Sequence, residues 1–251
     1  MRLPKRLEHG QGAELVEHLD ELRSRLIVSA IAVAAAFAVA YAEHGRLVRW
    51  LESPLPHGKK LVTFGVAEPF LTSLQISLVA AFALALPIVL WQLWSFLAPA
   101  VQPHAQRAVV SCVVFASVLF AAGLAFGYRV ALPAALKFLT TYDNSLYSIQ
   151  IRAREYISFS LAVLVAVGVV FELPAVIVTL VRLGILSSSS LRSHRRAGYA
   201  IVAAIAVALP GVDPVTTMLE MVPLFLLFEG SIWLSVLVER RRRIALAATS
   251  V

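Results

Sequence analysis

The chain has 251 residues, 59% of them hydrophobic and only 15% charged, against roughly 25% charged in ordinary soluble domains, so a soluble globular class is excluded. The 22 Lys and Arg against 15 Asp and Glu give a net charge of +7, but the basic residues cluster at the ends of apolar runs. No basic stripe interleaves with aromatics, which argues against nucleic acid as a partner. One cysteine, Cys112, excludes an intrachain disulfide and a thiolate metal cluster.

Residues 1–25 form a leader too long, and with Glu8, Glu14, Glu17, Asp20 and Glu21 too acidic, for the basic start of a cleaved signal peptide. Within it, Leu15, Leu19, Leu22 and Leu26 recur at steps of four, three and four. That spacing predicts an amphipathic helix over 13–25, with Glu14, Glu17 and Glu21 on another face. A carboxylate row beside a membrane can bind a cationic peptide, arginine above all because its guanidinium forks onto a carboxylate. The plainer alternative, favoured by periodicity alone, is an internal Glu21–Arg25 pair worth about 0.3–0.5 kcal/mol.

Six membrane helices are expected, near 26–41, 70–97, 108–128, 156–181, 198–209 and 218–238. The 38 residues 69–106 contain no Asp, Glu, Lys or Arg. With both termini placed in the cytoplasm, 14 of the 22 basic residues fall on the inner side and 8 on the outer, as the positive-inside rule requires. The chain then reads as one membrane domain: leader 1–25, bundle 26–238 and a basic cytoplasmic tail 239–251 that carries Arg240 to Arg243. Two longer outer loops, 43–68 and 129–155, are expected to cap the outer face, and Ser187 to Ser190 to form a flexible inner connection. The fifth helix is expected to be short, since only 16 residues separate Arg196 from Asp213; at ~1.5 Å per residue these span ~24 Å, less than a ~30 Å hydrocarbon core. The sixth is expected to be short in apolar length, being interrupted by Glu229 and bent near Pro223.

Glu172 has 16 uncharged residues before it and 9 after. A buried acid there is disfavoured by ~2.5–3.5 kcal/mol unless it is partnered or protonated, and Pro174 frees a carbonyl beside it. It is either a neutral acid bonded within the bundle or a polar notch that docks another helix. Glu229, beside Gly230 and Ser231, is either a hydrogen bond between helices or a partner contact. Glu220 is assigned no role. No HExxH, CxxC, GxSxG or GxxxxGK[ST] motif occurs, and all six histidines fall outside the expected spans, so no catalytic residue, metal or cofactor is expected. An internal repeat is hinted at only by Leu86-Pro87-Ile88 against Leu173-Pro174-Ala175.

Five segments carry a resemblance. His18-Leu19-Asp20-Glu21-Leu22-Arg23-Ser24-Arg25-Leu26 is similar to H-L-x-E-L-R-x-R-L, and Pro87 to Ala100 to P-x-x-x-Y-Q-x-W-x-F-x-x-P-[GA]. Phe171-Glu172-Leu173-Pro174 matches F-E-[VLI]-P. Asp213 after Pro210 is similar to a T-P-x-D turn, and Pro223 with Phe228-Glu229 to P-x-x-x-L-[FY]-E. In this order and spacing the set resembles the TatC family, the multispanning receptor subunit of the twin-arginine, Sec-independent protein translocase.

The resemblance implies an all-α, six-helix concave bundle in the plasma membrane with both termini cytoplasmic. Such a subunit recognises twin-arginine signal peptides, assembles with the single-span subunits TatA and TatB, can form a homo-oligomer, and exports folded cargo on the proton-motive force. Glu17, Asp20, Glu21, Arg23, Phe96, Pro99 and Arg107 would form the signal-peptide surface. Glu172, Pro174 and Glu229 would meet partner helices, and Asp213 would mark the outer turn. The chain departs from the family in the first inner loop, where His104-Ala105-Gln106-Arg107 stands in place of a pattern like H-E-R-R. Either the leader acids carry the electrostatics alone, or a partner contributes, or specificity is altered. The competing readings are an ion-coupled small-solute transporter, which needs a central aqueous cavity, and a TatC-like scaffold with altered signal recognition.

Overall fold

The computed structural model describes residues 9–55, 60–97, 106–142, 145–146, 149–182, 185–210 and 213–249, with side chains placed for all but 9–18, 97, 106–109 and 241–249. Apolar sequence in hydrocarbon must satisfy its backbone within each segment, and helices do so. The described residues form α1 (His9–Ala42), α2 (His44–Glu52), β1 (Leu61–Val62), α3 (Glu68–Leu97), α4 (Gln106–Phe126), a π turn (Gly127–Ala131), α5 (Leu132–Thr141), β2 (Ile151–Arg152), α6 (Ala153–Val170), α7 (Leu173–Arg182), α8 (Ser188–Ser193), α9 (Arg195–Ala208) and α10 (Pro214–Thr249).

Five stretches are long and apolar enough to span: Leu19–Ala42, Glu68–Phe96, Val110–Thr141, Ala153–Arg182 and Pro214–Arg240. The sixth expected span is α9, whose 14 residues reach only ~21 Å at ~1.5 Å each. Its shortness follows the sequence reading. The sixth helix does not: α10 is 36 residues long and continues through Pro223, so the expected short helix is a long one. Neighbouring helices can re-satisfy the backbone that a proline frees, and α10 packs on both α7 and α9. The amphipathic leader and first span are one continuous helix, α1. The third span runs through the π turn into α5 (Leu132–Thr141), so the first part of the expected outer loop 129–155 is helical. Ser187 to Ser190 is not a loose link. Ser187 Oγ caps α8 by accepting from the Ser190 N–H at 3.1 Å, and Glu239 Oε2 accepts the Ser188 N–H at 3.1 Å.

The fourth span is broken. Phe171 and Glu172 form a turn between α6 and α7, because Pro174 has no N–H to give the Val170 carbonyl and its ring crowds that carbonyl. Close packing surrounds the break. A Cβ added to Gly123 would lie 2.9 Å from Gly168 Cα and 2.8 Å from Phe171 Cβ, so α4 and α6 meet backbone to backbone, as small residues permit in membranes. The Phe126 and Phe171 rings stack at 5.6 Å. Gly198 makes room between α9 and α10 for the Phe228 ring, whose Cζ would lie 2.1 Å from an added Cβ.

One end of the bundle carries a cap. Tyr156 Oη donates to the Leu51 carbonyl at 2.6 Å and Tyr128 Oη to the Trp50 carbonyl at 2.8 Å, with the Trp50 and Tyr128 rings stacked at 3.8 Å. Thus α2 lies pinned across the ends of the span beginning at Ala153 and of the π turn. Beside it β1 and β2 pair in parallel, Leu61 with Ile151 and Val62 with Arg152. Glu68, 4% exposed, ties these pieces together. Its carboxylate accepts from Arg152 Nε at 3.1 and 3.3 Å and from the N–H groups of Arg154 at 3.0 Å, Phe64 at 3.1 Å and Gly65 at 3.2 Å. The carboxylate holds the Arg152 guanidinium above its ordinary pKa range, and it sits in the first turn of α3, where the helix dipole favours a negative charge.

Substituting Glu68→Gln removes the charge that two distant segments share. The thermal unfolding midpoint in detergent should fall by several degrees, with protease cleavage appearing first in the loops at 53–67 and 142–152.

Candidate functional site

At the end away from the cap, the leader helix meets the last turns of α3. Arg25 donates from Nε at 3.0 Å and from Nη2 at 2.5 Å to Glu21 Oε1, and its Nη1 lies 3.5 Å from the Gln92 carbonyl. Arg25 and Glu21 are 22% and 36% exposed in their side chains, so the pair sits at the rim of the contact between α1 and α3. Asp20 and Arg23 are exposed on the same turns and Phe96 is half-buried. Asp20, Glu21, Arg23 and Phe96 thus lie at one end of the bundle. Glu17 lies in α1 and Arg107 in α4, with side chains outside the described set; Pro99 lies outside the described residues.

Glu172 sits in the turn between α6 and α7. Its backbone is used, the N–H donating to Val169 O and the carbonyl accepting from Val176 N, both at 3.0 Å. Its carboxyl Oε1 is buried with no hydrogen-bond partner. Pro174 is itself buried. The adjoining Leu173 begins an apolar groove of about 300 Å³ lined also by Ile177, Leu191, Gly198, Ile201 and Phe228.

Glu229 is not beside Glu172 in this bonding pattern. Its Oε1 accepts from Tyr199 Oη, its Oε2 lies 3.3 Å from Arg195 Nη2, and Tyr199 packs edge-on to Phe225 and Phe228 at 5.5 Å each. The carboxylate therefore bridges α9 and α10 inside the chain. The basic residues opening α9 supply the counter-charge that a sequence scan around Glu229 alone does not show.

Asp213 begins α10. Its Oδ1 accepts the Thr216 N–H at 2.7 Å, the side-chain cap that satisfies an orphan donor of a helix start. It is 2% exposed, and so is Glu220, a residue given no role by sequence reasoning. The signal for it was present: Asp213, Thr216 and Glu220 are spaced three and four apart and share one face of α10. Arg182, whose Nη1 donates to Cys112 Sγ at 3.1 Å, is a further polar residue missed, in a cleft with Ser111 and Thr179. Among the described residues no group of three or more His, Cys, Asp or Glu side chains could hold a metal ion.

The profile of the family described as Sec-independent protein translocase protein (TatC) matches residues 17–223. The chain belongs to the TatC family. Sec-independent protein translocase protein TatC of Carboxydothermus hydrogenoformans is 36% identical over 223 residues, covering 88% of this chain and 92% of that protein. The Escherichia coli K12 protein of the same name is 34% identical, covering 88% and 87%. A crystal structure of the twin arginine translocase receptor TatC in DDM superposes with a TM-score of 0.76 at 34% identity, covering 87% of this chain and 99% of that one. The all-α, polytopic fold is therefore that of the family, and the chain is a multi-pass membrane protein of the twin-arginine translocase, with protein transport as its work.

The bridge between α9 and α10 can be measured directly. A double-mutant cycle of Tyr199→Phe and Glu229→Gln, read by unfolding in detergent, should give a coupling of ~0.6–1.7 kcal/mol, the range found for hydrogen bonds between membrane helices. Additive effects would remove the bridge as a stabilising contact.

Proposed function

We propose that this chain is the receptor subunit of the translocase, with both termini cytoplasmic and the signal-peptide surface formed by the leader end of α1 beside the last turns of α3. The observation that carries the reading is the Glu21–Arg25 pair held at 3.5 Å from the Gln92 carbonyl. An i,i+4 pair at a surface contributes only ~0.3–0.5 kcal/mol. An incoming arginine can take the place of Arg25 on Glu21 at little cost, one guanidinium fork exchanged for another, while Asp20 and Glu17 add attraction along the same helix. The 14 to 8 distribution of basic residues supports the cytoplasmic placement of this end. No carboxylate stands in the loop at Ala105 and Gln106, so the leader acids carry the charge recognition. The variant with Glu17→Gln, Asp20→Asn and Glu21→Gln together should bind a peptide with paired arginines about tenfold more weakly, ~1.4 kcal/mol, with the loss shrinking at high salt. Equal affinity for the two proteins would overturn the assignment.

Partner helices, those of TatA and TatB, are assigned to the Glu172 notch. Support comes from the buried, unpartnered Oε1 and the apolar groove that starts at Leu173, a polar point beside an apolar track into which a single span can lie. In Glu172→Ala the partners should co-purify in reduced amount while circular dichroism and the unfolding midpoint stay near those of the parent. Undiminished co-purification would place the partners elsewhere.

A further inference from the structure

Glu220 is the most fully enclosed acid of the spans, and neither the receptor surface nor the notch uses it. It is 2% exposed, and neither Oε1 nor Oε2 has a hydrogen-bond partner. On the same face of α10, Asp213 Oδ2 and Thr216 Oγ1 are also buried and unpartnered, with Thr216 wholly covered. Four buried side-chain oxygens from three neighbouring positions thus have no donor. The two carboxyl groups differ in their compensation for charge. Asp213 holds the Thr216 N–H through Oδ1 and sits at the positive end of the helix dipole; Glu220, two turns on, has neither.

Among the described residues the other elements supply no counter-charge. Beside Glu220 lie Phe126, Val167, Val170, Phe171, Leu209 and Leu224, and the cleft they line is too narrow to admit a water molecule. Of the titratable groups on elements packed against this half of α10, Arg129 and Lys137 are exposed and Tyr128 donates its hydroxyl to Trp50. Glu172, in the turn preceding α7, forms no bond to Glu220. The basic residues of α8 and α9 and Arg182 belong to the opposite end of the bundle, where Arg195 holds Glu229. The acid that shares this face of the helix with Glu220 is Asp213, and its charge has the same sign.

We propose that Asp213, Thr216 and Glu220 form a proton-binding site enclosed against the middle of the span Ala153–Arg182, in which Glu220 carries one proton for the pair of carboxyl groups. Two negative charges in an apolar enclosure without donors are strongly disfavoured, and a neighbouring like charge adds to that cost. A bare proton needs no volume, whereas a metal cation needs a shell of ligands in a space that does not take even a water. Protonation adds H⁺ to a Glu220 carboxylate oxygen and makes an O–H donor; loss of that proton leaves a charge that the α6–α10 contact can accommodate only by parting to let water in. The inference is independent of the receptor reading, since none of its residues belongs to the leader surface.

Infrared difference spectra of the full chain in detergent, recorded between mildly acidic and alkaline pH, test it. A protonated-carboxyl stretch should disappear with rising pH in the parent; in the parent-minus-variant comparison one component of it should persist in Glu172→Gln and that same component should be missing in Glu220→Gln. In Asp213→Asn the band should be lost at a lower pH than in the parent, since the neighbouring like charge is gone. The unfolding midpoint should drop with rising pH in the parent and much less in Glu220→Gln. Glu220→Leu, which matches the apolar surroundings, gives the same comparison should the glutamine variant aggregate. A spectrum without a Glu220 band at any pH at which the protein is folded would overturn the proposal. So would stabilisation by added sodium at fixed pH that vanishes in Glu220→Gln, which would make the site one for a metal cation.

Discussion

The carboxylate of Glu68 gathers four donors from two distant stretches of chain: the Phe64 and Gly65 N–H groups before α3, and the Arg152 guanidinium and Arg154 N–H at the start of α6. Removing a charge from water is unfavourable unless hydrogen bonds and a counter-ion replace the hydration shell, and here both are present. The same residues set the short parallel pair of β1 with β2, which by itself is too small to be stable. With that junction made, the starts of α3 and α6 are fixed relative to each other, and α2 can lie across them through the Tyr156 and Tyr128 hydroxyls. Helix α4 packs against both members of this pair, α7 packs on α4, and α10 packs on α7, α9 and α5.

Below the cap, the bundle treats its acids in three different ways. Glu229 is fully engaged by Tyr199 and Arg195 from the neighbouring helix. Glu172 has one buried oxygen without a partner, at a helix break that also frees a carbonyl. Glu220 has two. A polar group in hydrocarbon is retained only where something offsets its desolvation, so the degree of internal satisfaction sorts these residues. The engaged acid builds the fold, and the unengaged ones are available to ligands. The competing solute-transporter reading asked for Glu172 and Glu229 to line one aqueous cavity; Glu229 instead closes a contact between α9 and α10.

Apolar run length made the membrane class and most of the spans legible, because hydrocarbon thickness and helix rise leave few other solutions. The short α9 was legible in the same way, from Arg196 and Asp213. Run length says nothing about helix continuity outside the hydrocarbon, and this is where the reading departed from the structure: α1 absorbs the leader, the π turn carries α4 into α5, and α10 passes Pro223 without stopping. Of the candidate site, Asp20, Glu21, Arg23 and Phe96 do fall at one end, joined by Arg25. What could not be read were pairings over long sequence distance, such as Arg152 with Glu68 or Arg195 with Glu229, since neither partner carries a local mark. Glu220 was visible as a letter and invisible as a site, because its isolation is a property of the helices that surround it.

The continuity of α10 has a mechanical side. One uninterrupted helix joins Asp213 and Glu220 near its start to Arg240 and the basic residues after it, 20 residues from Glu220 to Arg240, or ~30 Å at ~1.5 Å per residue. Such a strut cannot tilt at one end alone. A small parting of α10 from α6 beside Glu220 would displace Arg240 at the other end of the same helix, so that chemistry at one depth is felt as movement at another.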